Sequence, residues 1–209
     1  KGTVGFGMPM LLISGMGSFL APELALAGLI IPTLATNGMQ ALRQGAKAAW
    51  TSVQRFRVFL VAGLITLLIS AQFVRVLSPD ALLLVIGVPV SIFAAMQLFG
   101  ITIHLPKQSM RAEVAIGGFA GLIGGMSGVW GPPTIAYLTA LGTEKTEQMR
   151  VQGVIYGLGG VALKAAHIGS GVLRVETMPL SLMLTPPAIA GMWLGGKIQD
   201  RIDQNTFRK

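Results

Sequence analysis

The chain has 209 residues, of which 52% are apolar and 11% are charged, whereas ordinary soluble domains carry about 25% charged residues. This composition excludes a water-soluble globule and a disordered chain, and the lack of cysteine excludes a disulfide scaffold. We therefore expect an all-α, polytopic membrane protein, in which the net charge of +8 marks loop topology and not a nucleic-acid partner.

The first half of the chain opens on a glycine-rich segment at residues 1–9, which leads into an apolar stretch ending at Leu20. Three uncharged stretches follow, each close to the roughly 20 residues that a bilayer-spanning helix needs. The predicted spans of this half are Leu24–Gln40, Val58–Val74 and Ala81–Ile103. Prolines inside two of them are compatible with a membrane helix when neighbouring helices bind the freed carbonyls.

The second half opens on an apolar segment, Val114–Leu141, that is interrupted by glycines and prolines at Gly124–Pro133. Each flanking piece has about ten residues, or about 15 Å of helix, which reaches half way through a bilayer. We predict two half-helices that enter the membrane, meet near its midplane and return to the same side. Further spans are expected at Met149–Leu173 and Pro179–Gly196.

The two glycine-rich segments are related by an internal repeat. Aligning Gly7 with Gly131 also places Pro9 on Pro133. We therefore predict two related transmembrane repeats, at residues 1–103 and 114–209, joined by a cytoplasmic linker at residues 104–113. Both ends of the chain are expected to be truncated.

Basic residues predict the topology of the loops. The segment at residues 41–57 holds four of them and no acid, and residues 104–113, 142–150 and 197–209 also carry basic residues. The positive-inside rule places all four segments on the cytoplasmic side. The two interrupted segments then enter the membrane from opposite faces, so the repeats are predicted to be inverted.

The interrupted segments also predict a binding site. A half-helix N-terminus offers unpaired N–H groups and the positive end of a dipole, which together favour a small anion. Hydroxyls, an amide and one intramembrane lysine are expected to support these contacts. The candidate substrate-binding residues are Thr3, Gly5, Gly7, Asn37, Ser127, Gly128, Trp130, Gly131, Thr134 and Lys164. In the alternative interpretation, the glycines only permit close helix packing, and Lys164 extends toward the headgroups.

This arrangement resembles the sulfite exporter (TauE/SafE) family of bacterial inner-membrane transporters. The similarity rests on residues 1–9, on Gly121–Pro133 and on the closing segment Leu194–Ile202. The resemblance implies a multi-pass secondary transporter, and not an enzyme, that exports sulfite, an organosulfonate or a related anion. Its partners would be the anion and the lipid bilayer, with a coupling proton and homo-oligomerisation left open.

Other functions remain as alternatives. A duplicated pore of half-helices could act as a passive anion channel. Ser127 within a G-x-S-G sequence, together with His167, is similar to the dyad of rhomboid intramembrane proteases, although prolines follow this serine at once. No metal site is expected, because there is no cysteine and the two histidines are far apart in sequence. No cofactor is expected either, since the chain has no phosphate-binding loop.

Overall fold

A computed structural model describes residues 7–99, 104–169 and 176–202, and the regular structure within these ranges is helical. A short 3₁₀ segment, Ala71–Arg75, continues the fourth of the helices. The α-helices are α1 (Met8–Gly17), α2 (Pro22–Leu42), α3 (Ala46–Arg55), α4 (Arg57–Ser70), α5 (Pro79–Leu98), α6 (Met110–Ser127), α7 (Gly131–Ala140), α8 (Lys145–Gly169) and α9 (Met178–Gln199).

Among the described residues, three helices are long and apolar enough to cross a membrane. Their apolar windows are Leu24–Leu42 in α2, Arg57–Val74 in α4 with its 3₁₀ extension, and Pro79–Met96 in α5. Inside the protein, 67% of the α2 window is buried, against 33% for α4 and 7% for α5. Helix α2 is therefore central. Helix α5 is peripheral, and its apolar side chains face outward, as a lipid-facing surface requires.

Helix α2 continues through Pro32 because α9 replaces the hydrogen bond that this proline removes. A proline at this position has no N–H to donate to the carbonyl of Gly28, four residues earlier. The hydroxyl of Ser181 donates to that carbonyl at 3.0 Å and accepts from the N–H of Ile31, also at 3.0 Å. The Ser181 hydroxyl thus joins α9 to the interior of α2.

Glycines let α4 and α6 pack with their backbones in contact. A Cβ on Gly121 would lie 2.0 Å from the carbonyl oxygen of Gly63, and a Cβ on Gly125 would lie 2.3 Å from that of Leu67. Thr66 then donates a hydrogen bond across the interface to the carbonyl of Gly118 at 2.8 Å. For Gly121 and Gly125, the packing interpretation of the glycine-rich segment is correct.

The segment from α6 to α7 enters and returns at the same end of the protein. The N–H of Leu105, just before α6, donates to the carbonyl of Ala140, the last residue of α7, at 2.8 Å. The two arms are unequal, however, because α6 has 18 residues and α7 has 10. The predicted interruption at Gly124–Pro133 was too wide, since the helix persists to Ser127 where its glycines pack against α4.

Four charged segments meet at the end from which α6 starts, which we call the basic end. Arg55 pairs with Glu147 at 2.6 Å, and Gln108 donates to the carbonyl of Arg55 at 2.8 Å. Arg43 pairs with Asp200 at 2.6 Å, which brings the end of α9 to the same place. The segment at residues 41–57, which was predicted only as a linker, contains the helix α3.

The order of the elements recurs along the chain. Shifting α1, α2 and α4 by the 124 positions that separate Gly7 from Gly131 superimposes their ranges closely on those of α7, α8 and α9. Helices α2 and α8 touch where a Cβ on Gly153 would lie 2.4 Å from the backbone nitrogen of Ala41. This contact joins α2 to α8 along the interior of the described protein.

Candidate functional site

A small cavity lies where the turn between α6 and α7 meets the start of α1, and we call it the central cavity. Its volume is about 20 Å³, which is close to the space that one water molecule occupies. Residues of α1, α2, α8 and the α6–α7 turn form its wall. They are Gly7, Pro9, Thr33, Asn37, Gly128, Val129, Trp130, Gly131 and Tyr156.

The α6–α7 turn is short and is fixed by its own hydrogen bonds. Gly128 ends α6 in the left-handed region, with φ of 69°, and its N–H donates to the carbonyl of Gly124 at 2.7 Å. The Ser127 hydroxyl donates to the carbonyl of Ile123 at 2.7 Å and accepts from the N–H of Val129 at 3.0 Å. Glycine is the residue that adopts this φ without strain, so the sharp reversal depends on it.

Two helix N-termini border the central cavity. Gly131 is the first residue of α7, and Gly7 precedes α1 with φ of 91°. Pro9 lies in the first turn of α1, as Pro133 does in α7, where a missing N–H costs no helical hydrogen bond. Because the positive ends of both dipoles lie beside the same space, their field there favours a negative charge.

Side chains of α2 and α8 supply the polar groups of the cavity wall. The Thr33 hydroxyl is buried and has no hydrogen-bond partner within the described part of the chain. The Asn37 side chain, one turn further along α2, is fully buried. Tyr156 of α8 donates a long hydrogen bond of 3.3 Å to the carbonyl of Gly131. The nine lining residues carry hydroxyl, amide and backbone groups and no formal charge.

Half of the predicted site residues lie together at this cavity, namely Gly7, Asn37, Gly128, Trp130 and Gly131. Thr33 and Tyr156 complete its polar wall. From sequence, Tyr156 could either donate a hydroxyl to an oxyanion or pack as an aromatic, and it was not among the selected site residues, whereas Thr33 was not considered. The spacing of Thr33, one turn before Asn37 on the same helix, is the pattern that would have indicated it.

The other predicted residues that the structure describes do not line this cavity. The Ser127 hydroxyl holds the turn, and the Thr134 hydroxyl donates to the carbonyl of Trp130 at 2.8 Å, so both are used within the protein. Lys164 lies eight residues beyond Tyr156 on α8, which corresponds to about 12 Å along the helix axis. Thr3 and Gly5 lie outside the described residues, as does the side chain of His167.

A second small cavity lies behind Trp130 and is apolar. It follows the seam between α4, α6 and α8, with Leu60, Leu67 and Ile155 among its walls. Trp130 itself is buried and stands between the two cavities, with its ring centroid 6.3 Å from that of Tyr156. The apolar cavity has the character of imperfect helix packing, and we assign it no ligand.

Comparison with known sequences decides the family. The sequence model of the family described as Sulfite exporter TauE/SafE matches residues 1–209, which is the whole chain. The chain belongs to the TauE/SafE family. Searches of curated proteins and of solved structures each returned no match. Members of the TauE/SafE family are membrane transporters rather than enzymes, and the apolar helices of this chain agree with a multi-pass membrane protein.

TauE/SafE membership implies a transporter that exports sulfite or a related sulfur anion. An anionic substrate agrees with a cavity that is bordered by two helix N-termini, because the positive ends of their dipoles favour a negative charge. The structure also argues against Ser127 as a nucleophile. Its hydroxyl already donates one hydrogen bond and accepts another within the α6–α7 turn.

Proposed function

We propose that the protein is a secondary transporter of the bacterial inner membrane that exports a small sulfur oxyanion, with sulfite or an organosulfonate as substrate. The anion binds in the central cavity, between the N-termini of α1 and α7. The observation that carries this proposal is that Gly7 and Gly131, which the sequence alignment pairs, border the same small cavity.

The contacts follow from the chemistry of that space. Backbone N–H groups at the two helix starts and the hydroxyl of Tyr156 donate hydrogen bonds to the anion, and the Asn37 amide and the Thr33 hydroxyl complete its shell. A site without a charged side chain binds an anion through dipoles, which keeps its release easy enough for transport. Lys164 acts as a counter-charge only if the cavity extends toward it in another state.

The cavity has to open for transport to occur. A space of about 20 Å³ holds one water molecule and is too small for a sulfur oxyanion. We propose that the two inverted repeats rock against each other, so that the cavity widens toward one face at a time. The small size of this cavity among the described residues favours a carrier that changes conformation over a permanently open channel.

The test is transport by the purified protein in liposomes. Uptake of radiolabelled sulfite, driven by a proton or sodium gradient, should saturate with concentration and should be competed by unlabelled thiosulfate. Protein-free liposomes and liposomes with a heat-denatured preparation serve as controls. Flux that increases linearly with concentration and ignores the gradients would identify a channel, and no flux for sulfite, thiosulfate or taurine would refute the proposal.

A further inference from the structure

A much larger pocket lies at the basic end, separate from the central cavity. Its volume is about 330 Å³, against about 20 Å³ for the central cavity. The end of α2, the first turns of α8 and the end of α9 form its walls. We call it the basic-end pocket and define it by Gln40, Arg43, Gln44, Lys145, Arg150 and Asp200.

The basic-end pocket carries a positive charge. Three of its lining side chains are cations and one, Asp200, is an acid. The side chains of Arg43 and Asp200 are 39% and 62% exposed, so water weakens the interaction between them. Arg150 is 17% exposed and lies 3.8 Å from Glu147, which Arg55 already binds at 2.6 Å.

Two of these cations are held in place by hydrogen bonds within the protein. Arg150 donates through Nε to the hydroxyl of Ser52 at 2.9 Å and also to the side-chain oxygen of Gln44. Lys145 donates to the carbonyl of Gln199 at 3.0 Å. These bonds fix the positions of the cationic groups and use neutral acceptors, so the groups retain their positive field.

A row of polar residues, which we call the polar seam, runs from this pocket to the central cavity. Gln40 of α2 and Gln44, two residues after the end of α2, line the pocket, while Asn37 and Thr33 of the same helix line the cavity. From Gln40 to Thr33 the seam runs about 10 Å along the helix. On α8, Gln152 lies one turn before Tyr156 and is fully buried.

Several polar atoms of the seam have no partner within the described residues. They are the Oε1 atom of Gln40, both side-chain polar atoms of Gln152, and the hydroxyl of Thr33. An unsatisfied buried polar atom destabilises the fold, and a bound water or ion is one way in which such a group is satisfied. The seam is closed in this conformation, because the Gln40 amide donates to the carbonyl of Met149 at 2.8 Å and Gly153 packs against the backbone of Ala41. A solute therefore moves along it only when α2 and α8 separate.

We propose that the basic-end pocket is a binding site for small oxyanions, from which the substrate moves along the polar seam to the central cavity. The movement of substrate from this pocket to the central cavity rests on the proposed function. The site itself rests on Arg43, Lys145 and Arg150 around a space large enough for a hydrated anion.

The first test is binding by the purified protein in detergent, measured by titration calorimetry with sulfite. The double variant Lys145→Gln/Arg150→Gln should bind sulfite about tenfold more weakly, because two charge-assisted contacts are lost. The matched control is Lys107→Gln/Arg111→Gln, which removes two exposed cations outside the pocket and should leave binding unchanged. Equal affinities for both double variants would overturn the inference.

Conservative variants separate charge from folding. Lys145→Arg/Arg150→Lys keeps both charges and should bind sulfite within about threefold of the unmodified protein. If this variant binds as weakly as the glutamine pair, the cations act only through structure and the site does not exist.

The second test is transport from each face of oriented proteoliposomes. In Lys145→Gln/Arg150→Gln, the half-saturating sulfite concentration should increase only when sulfite is added at the basic end, with the maximal rate retained. An equal increase from both faces would contradict a site at one end. If the unmodified protein binds sulfite through the pocket and moves none, the proposed function fails and the site stands.

Anionic lipid headgroups share this chemistry, and lipid composition distinguishes the two sources. In liposomes of phosphatidylcholine alone, the effect of the glutamine pair should persist. If the effect appears only when phosphatidylglycerol is present, the occupant is a lipid phosphate and the proposed substrate site is wrong.

Discussion

At the scale of residues, the structure separates groups that build the α6–α7 turn from groups that face the central cavity. The hydroxyls of Ser127 and Thr134 bond to carbonyls of the turn, while Thr33, Asn37 and Tyr156 present polar atoms to the space. Sequence reasoning found Asn37 and the glycines, because they lie in or beside visible interruptions. It did not foresee the use of the two hydroxyls, because a serine or threonine in a helix can bond back to its own backbone.

Tyr156 offers the most specific test of the cavity wall. We expect Tyr156→Phe to increase the half-saturating sulfite concentration at least about tenfold, since one hydrogen bond to a charged acceptor is lost. The chain has one other tyrosine, Tyr137, whose hydroxyl lies 3.4 Å from Glu113 and away from the cavity. Transport by Tyr137→Phe should match the unmodified protein, and similar effects of both variants would argue against a contact with Tyr156.

Ser181 gives a prediction about stability. Replacing it by alanine leaves the Gly28 carbonyl and the Ile31 N–H without their partner at Pro32. We expect Ser181→Ala to lower the free energy of unfolding by about 1 kcal/mol, measured by denaturation in detergent. Thr185→Ala is the control, because the Thr185 hydroxyl bonds to a carbonyl of its own helix at 2.9 Å. An equal loss of unfolding free energy in both variants would show that the hydrogen bonds of Ser181 to α2 add no stability.

At the scale of elements, the first two predicted spans agree with the structure and the bounds of the interruption do not. The predicted span Leu24–Gln40 lies within α2, and Val58–Val74 lies within α4 and its 3₁₀ extension. Length and lack of charge decide such segments. The width of the interruption depends on tertiary packing, since Gly121 and Gly125 remain helical against the backbone of α4. A single sequence does not distinguish a glycine that permits close helix packing from a glycine that permits a turn.

The α4–α6 contact predicts different outcomes for neighbouring glycines. A Cβ on Gly121 would lie 2.0 Å from the Gly63 carbonyl oxygen, whereas a Cβ on Gly118 would lie 3.7 Å from a methyl group of Thr66. We expect Gly121→Ala to cost at least about 2 kcal/mol of stability, because backbones must separate. Gly118→Ala should stay within about 1 kcal/mol of the unmodified protein. Comparable unfolding midpoints in detergent for the two variants would contradict the described packing.

At the scale of the whole molecule, the described residues form a small central cavity and a larger pocket at the basic end. Four charged segments gather around the larger pocket. Charge in the sequence predicted that these segments share one side of the membrane, because basic residues concentrate there. It could not predict the pocket, which depends on the packing of α2, α8 and α9.

The most direct test of the account is whether an anion reaches Trp130, which lines the central cavity. With Trp50 and Trp193 replaced by phenylalanine, Trp130 is the one tryptophan left of three, and its fluorescence reports on the cavity. We predict a saturable change on titration with sulfite, compared with a chloride titration at equal ionic strength. The same change should be absent when exposed Trp193 alone is retained. A response that is linear, or equal in both proteins, would contradict an anion site between the two helix N-termini.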